Sequence, residues 1–253
     1  KKKYELRKYQ EEAIARAIDA IAAGKKRVGI ALPTGSGKTF VVSGIVLRIK
    51  DRRKPKARQF LWIAPAWEIL YQSAIEFSAC MKLQGLNLSM GRIGCNTKQH
   101  PEFSRLVEED AKADVVFTTL HTWHSNDYYK RVVSPYVVII DEFHFGEYAS
   151  MREGLEKWAE KKSAILLGLS ATPNDNTNFE TVYHKPFADL VPRYLAEPKK
   201  EEPFTGTDFD PKETGEFEDE DGVRDDAYQI LADDPDRNKF IADYLFEHRN
   251  RLG

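Results

Sequence analysis

Five short apolar runs, separated by stretches of helical period, constrain this chain more than any other feature. They are Arg27–Leu32, Gln59–Ala64, Val115–Thr118, Tyr136–Ile140 and Ala164–Leu169, with a weaker sixth candidate at Leu86–Ile93. Runs such as YVVII do not alternate apolar with polar residues, so strands built from them need cover on both faces, as in a parallel sheet. The intervening stretches supply that cover. Arg7–Ala23 puts Ile14, Ile18 and Ile21 on one helical face, Lys38–Ile49 follows a Gly-rich turn, and Trp67–Ala79 groups Leu70, Ala74 and Phe77. The expected fold is therefore α/β, with a largely parallel central sheet and helices on both faces.

From Asn174 to Asp226 the periodicity fades into Pro, Gly, Asn and acidic residues. A compact domain is expected over 1–198, followed over 199–253 by an acidic linker and a late helix near Arg237–Arg249. With 253 residues, 42% of them hydrophobic, the chain can bury a large core. Only two cysteines occur, Cys80 and Cys95, so neither a disulfide framework nor a structural zinc site is indicated. The four tryptophans are expected in the core or at sheet edges rather than as a base-stacking platform. A formal net charge of -2 excludes a wholly basic surface, yet nucleic-acid contact can be confined to one groove. No run approaches eighteen apolar residues and Lys1–Tyr9 lacks a signal core, so a cytoplasmic protein with no membrane partner is expected. A start at Lys1 without Met and an end at Gly253 fit a piece of a longer protein.

The chemistry begins at Leu32–Thr39, which reads LPTGSGKT between a predicted strand and a predicted helix. Gly35 and Gly37 let the backbone curl so that its N–H groups, with the helix N-terminus, face phosphate oxygens. Proline itself brings no N–H, so Pro33 shapes the entry while Thr34, Ser36 and Lys38 add donors. Lys38 carries a charge to the outer phosphates, and Thr39 offers a hydroxyl ligand to magnesium. Leu32 stands where the general pattern has Gly. Asp141 and Glu142 follow YVVII directly, at the carboxyl end of a predicted buried strand, where open α/β sheets bind ligands. One acid can hold hydrated magnesium and the other can orient or deprotonate an attacking water; Asp141 is assigned to the metal and Glu142 to the water.

Taken in order, LPTGSGKT, DEFH at Asp141–His144 and SATP at Ser170–Pro173 resemble the first RecA-like domain of superfamily-two DExH helicases and translocases, including restriction-enzyme motor subunits. The resemblance covers about Tyr4–Pro173 and implies an ATP hydrolase driven by Mg-ATP. It implies that LRKYQ at Leu6–Gln10 is the adenine-recognition element, with Arg7 near the nucleotide and the Gln10 amide pairing with the base edge; an amphipathic-helix start is the plainer reading. His144, Ser170 and Thr172 would couple the nucleotide site to the nucleic-acid groove. Phe143 departs from the pattern, standing where a small residue is usual.

IAPAWEILYQ at Ile63–Gln72 and FTTLHT at Phe117–Thr122 are similar to the family's nucleic-acid elements, which would give Pro65, Thr118 and Thr119 contacts to a sugar-phosphate backbone. For Trp67 and His121 a strand followed by a helix cap stands level with direct contact. The partner implied is nucleic acid, DNA ahead of RNA, together with a second RecA-like domain that supplies arginines to the reaction, so hydrolysis by residues 1–253 alone is expected to be weak. A phosphate-loop ATPase acting on another partner, or a nucleotide-gated binding module, are the alternatives. His121, His124 and Asp127 could share a metal only with further ligands that the sequence does not offer.

Overall fold

The computed structural model describes residues 6–51, 59–83, 87–94, 111–141, 149–171 and 178–196, together with a few positions between 218 and 246. Two units divide the chain, Lys1–Glu197 and Pro198–Gly253.

In the first unit the order is α1 (Lys8–Ala22), β1 (Arg27–Ala31), α2 (Lys38–Asp51), β2 (Gln59–Ala64), α3 (Trp67–Leu83), β3 (Met90–Arg92) and β4 (Val115–Thr119). It continues through α4 (Leu120–His124), α5 (Asp127–Val132), β5 (Pro135–Ile140), α6 (Ala149–Lys161), β6 (Ile165–Ser170) and β7 (Glu180–His184). The seven strands form one sheet in the order β3-β4-β2-β5-β6-β1-β7. Every pairing in it is parallel, a stricter arrangement than the largely parallel sheet expected.

Strand side chains alternate between faces, and the core divides accordingly. Phe60, Trp62, Val115, Phe117, Val137, Ile139, Ile165 and Leu167 point to the face covered by α1, α2 and α3. Leu61, Ile63, Val116, Val138, Ile140 and Leu166 point to the other, against Trp123 of α4 and Leu155 of α6. Burial on both faces explains why these strands read as unbroken apolar runs. Trp62 lies stacked on Phe117 with ring centroids 5.6 Å apart, and Phe77 meets both rings edge-on. Trp62 and Trp123 are thus core residues. The helical faces expected from the sequence form as well: Ile14, Leu70, Ala74 and Phe77 are fully buried.

Two expectations need correction. The stretch after Asn174 is not featureless, because Glu180–His184 forms β7 and pairs with β1 along Val28–Ala31. It lies at the sheet edge, its residues are exposed or half-buried, and ETVYH therefore lacks the apolar signature of the inner strands. The sixth candidate shrinks to Met90–Arg92 at the opposite edge.

In the second unit, Glu218–Asp219 pairs antiparallel with Gly222–Val223, inside the acidic stretch. Asn238, Lys239, Ala242, Asp243 and Phe246 are helical, within the late helix expected at Arg237–Arg249. Among the described residues no helix is long and apolar enough to cross a membrane.

Candidate functional site

In a parallel sheet all carboxyl ends share one edge, and β6 lies between β5 and β1. The loop after β1, Asp141 after β5 and Ser170 at the end of β6 therefore meet at that edge. The backbone joins the loop to β6, the Leu32 N–H donating to Ser170 O (2.9 Å), and ties the end of β5 to β2, the Asp141 N–H donating to Ile63 O (2.8 Å).

The loop itself curls as its glycines allow. Gly35 and Gly37 have φ of 78° and 81°, the left-handed region that side chains disfavour. At Gly37 a Cβ would also lie 2.7 Å from the Gln10 amide nitrogen, so both backbone and space demand glycine there. Pro33 and Ser36 are buried, Thr34 and Gly35 are exposed, and Gly37, Lys38 and Thr39 are half-buried at the start of α2. The Lys38 ammonium donates to Leu32 O at 3.4 Å, folding the side chain back over the loop it belongs to. The Ser36 hydroxyl is buried and has no hydrogen-bond partner in this structure. A buried unsatisfied hydroxyl costs about 1–3 kcal/mol, so this loop conformation is one that an incoming acceptor can improve.

Gln10 is 1% exposed, and its amide is engaged by protein at both ends. Its oxygen accepts the Arg7 backbone N–H (3.0 Å), closing the first turn of α1, and its nitrogen donates to Ser36 O (2.9 Å). Sequence reading gave Gln10 a contact with base; the structure places it against the phosphate loop. It missed Tyr9 beside it, whose hydroxyl donates to the same Ser36 O at 2.5 Å.

Asp141 is buried, and the Ser73 hydroxyl of α3 donates to its carboxylate at 3.4 Å. Nothing in the sequence points to Ser73, which arrives from a separate helix. Ser170 is fully buried at the end of β6. Glu142, Phe143, His144 and Thr172 lie outside the described residues.

The candidate nucleic-acid residues fall on the same edge, farther along the sheet. Pro65 is half-buried at the β2–α3 turn and His121 is exposed on α4. Thr118 and Thr119, however, have their hydroxyls turned inward. Thr118 Oγ1 donates to Ile93 O (3.1 Å), while Thr119 Oγ1 accepts the Thr122 N–H (3.2 Å) as the N-cap of α4 and bonds the Thr122 hydroxyl (2.9 Å). The side chains expected to touch a sugar-phosphate backbone are thus inside the protein, holding β3, β4 and α4 together. Among the described residues no group of His, Cys, Asp and Glu could hold a metal ion by itself, the His121 and His124 pair included.

An all-parallel sheet with a phosphate loop after β1 and an acid after β5, one strand removed, defines a RecA-like phosphate-loop domain. Comparison places it more narrowly: residues 3–175 match the family model described as type III restriction enzyme, res subunit, and the chain belongs to that family.

Its relatives include the Irc3 protein of Saccharomyces cerevisiae, 28% identical over 174 residues (66% of this chain, 23% of that one). The ATP-dependent DNA helicase Mph1 of Kluyveromyces lactis is 29% identical over 177 residues (67% and 16%). This chain therefore spans less than a quarter of the length of either. Among solved structures, a nuclease-deletion mutant of the type ISP restriction-modification enzyme LlaGI, in complex with a DNA substrate mimic, superposes with a TM-score of 0.54 at 18% identity. It covers 78% of this chain and 21% of that one, and the likeness is one of fold.

Proposed function

We propose that this chain is the ATP-binding first motor domain of a nucleic-acid helicase or translocase. The observation that carries this reading is the convergence of the phosphate loop, Asp141 and Ser170 on one sheet edge, cross-linked by the Leu32 to Ser170 hydrogen bond. Fit to Mg-ATP is supported by the curled loop and by the orphan Ser36 hydroxyl within it.

The loop amides from Thr34 to Lys38 would hold the phosphates, Lys38 would neutralise the outer ones, and Thr39 and Asp141 would hold the magnesium ion. Magnesium supplies charge neutralisation at the phosphates when bound. Glu142 would take the proton from the attacking water, while His144, Ser170 and Thr172 would relay nucleotide state to the nucleic acid. Gln10 and Arg7 would select adenine, Gln10 by exchanging its bond to Ser36 for the base edge. Track contact is proposed for Pro65 and the exposed His121 together with backbone amides of that edge, DNA being favoured because DNA appears in the names of relatives and fold neighbours. A second RecA-like domain would supply arginines to the transferring phosphoryl group, which can raise such rates roughly a thousandfold or more.

Steady-state ATPase assays of the full-length protein, with and without single-stranded DNA, duplex DNA and RNA, test this. Turnover should rise severalfold with DNA and vanish in Glu142→Gln, which keeps the shape of the carboxylate without its basicity. Turnover indifferent to every nucleic acid would leave a phosphate-loop ATPase with another partner.

A further inference from the structure

The end of the first unit reaches back to the phosphate loop. After β7 the chain turns through a 3-10 segment, Phe187–Asp189, and Leu190 anchors it in the core, fully buried. The backbone bonds of Tyr194 (2.7 Å) and Leu195 (3.0 Å) to Leu190 O then wind the next residues into a compact turn. That turn sets Tyr194 against the start of α1. The Tyr194 ring meets the Tyr9 ring edge-on at 5.1 Å, and the guanidinium groups of Arg7 and Arg193 lie 5.5 and 5.1 Å from its centroid. One Arg7 nitrogen donates both to Tyr194 O (3.3 Å) and to the Tyr9 hydroxyl (3.2 Å). Leu195 comes within 3.6 Å of where a Cβ on Gly35 would stand.

These contacts form a continuous path into the loop. The Arg7 guanidinium donates to the Tyr9 oxygen, which orients that hydroxyl so that its own proton is directed at Ser36 O. Ser36 O sits between the two left-handed glycines, so whatever fixes it fixes how the loop amides are presented. None of the segment around Tyr194 falls in the motifs legible from the sequence, and it lies past the matched family region at residues 3–175.

We propose that Tyr194 is a positioning residue of the nucleotide site: through the Tyr9 ring and Arg7 it holds Ser36, and with it the phosphate loop, in the curled conformation. This rests on the loop being a phosphate site. Because Tyr194 acts on the loop, its loss reaches affinity for the polyphosphate part of the nucleotide. Losing the hydrogen bond it supports should weaken that affinity about five- to tenfold, the value of one ordinary buried hydrogen bond.

Calorimetric titration of the whole 253-residue chain with Mg-ATP, and separately with magnesium tripolyphosphate, tests the assignment in Tyr194→Ala, Tyr194→Phe and Tyr9→Phe. Tyr194→Ala and Tyr9→Phe should weaken both ligands, and Tyr194→Phe, which keeps the ring, should restore most of the loss. Loss for Mg-ATP with tripolyphosphate unchanged would overturn the proposal by making Tyr194 a base contact. Parent-like affinity for both ligands in Tyr9→Phe would also overturn it, and that near-isosteric variant decides the matter should Tyr194→Ala fail to fold. Lys38→Ala separates the two levels: if it binds as the parent does, the phosphate reading falls, whereas a weakened Lys38→Ala beside unaffected tyrosine variants sinks only the role of Tyr194.

Discussion

The two ends of the functional edge use their buried hydroxyls in opposite ways. At the phosphate loop, a main chain curled by left-handed glycines leaves a buried Ser36 hydroxyl without a partner, and the Lys38 ammonium folds back onto Leu32 O. At the β3–β4 end, the Thr118 and Thr119 hydroxyls are satisfied within the protein and tie strand to strand and strand to helix. An unsatisfied buried hydroxyl is open to an arriving ligand, whereas a satisfied one keeps shape; the unpartnered N–H groups of Trp62, Arg92 and Trp123 lie outside this contrast, which concerns hydroxyls. The first end is thus arranged to receive, and the second to hold exposed neighbours in place.

The largest effect that bears on this contrast is expected at Lys38. Lys38→Ala should weaken Mg-ATP binding by about ten- to a hundredfold, the range of a charge-assisted hydrogen bond, with little change in melting temperature. A large stability loss with affinity retained would make the lysine part of the scaffold and erase the contrast.

Gly94 probes the other end. Its φ is 70°, and a Cβ there would lie 2.2 Å from the Thr122 methyl group, so Gly94→Ala carries both backbone strain and a clash. It should lower stability by about 2–3 kcal/mol in urea unfolding while Mg-ATP affinity stays at the parent value. A drop in ATP affinity larger than twofold would show that the two ends are mechanically one.

Thr118→Val removes the donor to Ile93 O and nearly preserves volume. A loss of about 1–2 kcal/mol in stability is expected, with DNA affinity unchanged when measured at fixed salt on folded protein. Weakened DNA binding without a stability change would return Thr118 to direct contact.

The smallest effect concerns Asp114, which precedes β4 and is held by Lys50 and by the Ser89 backbone and hydroxyl. Burial pushes its carboxyl up, but the hydrogen bonds and the Lys50 charge outweigh burial and leave it below its ordinary value of 3.8. A depressed carboxyl contributes stability above its unfolded value and loses it as pH falls through its folded one. The stability difference between parent and Asp114→Asn, followed by urea unfolding, should therefore be constant at neutral pH and shrink below about pH 4. A difference independent of pH down to 2 would rule out the charge as its source.

How far the sequence could be read depends on whether the relevant interaction is local. Inner strands are buried on both faces, so each declares itself in five or six consecutive residues, and β2 falls on Gln59–Ala64 as expected. The phosphate loop is equally local, since the turn, the lysine and the hydroxyl lie within Leu32–Thr39. β7 escaped because an edge strand with an exposed face needs no apolar run. The direction of the Thr118 and Thr119 hydroxyls depends on Ile93 and Thr122, which a strand-end motif does not reveal. Hardest of all are Ser73 beside Asp141 and Tyr194 beside Arg7: the latter pair is 187 positions apart, and nothing in either neighbourhood encodes the meeting.

The bond from the Leu32 amide to Ser170 O also has a consequence in time. It is a ladder bond between two inner strands, flanked by the Leu32 side chain with no exposed surface and by the fully buried Ser170, yet it sits at the mouth of a site open to solvent. Exchange of that amide proton with heavy water requires β1 and β6 to part, an opening as costly as that of the core itself. The Thr34 and Gly35 amides, two and three residues on and exposed, need only a local fluctuation. Across these few residues the exchange clock should slow by orders of magnitude, placing the boundary between the rigid sheet and its adaptable loop at a single proline, Pro33, which has no amide proton to exchange.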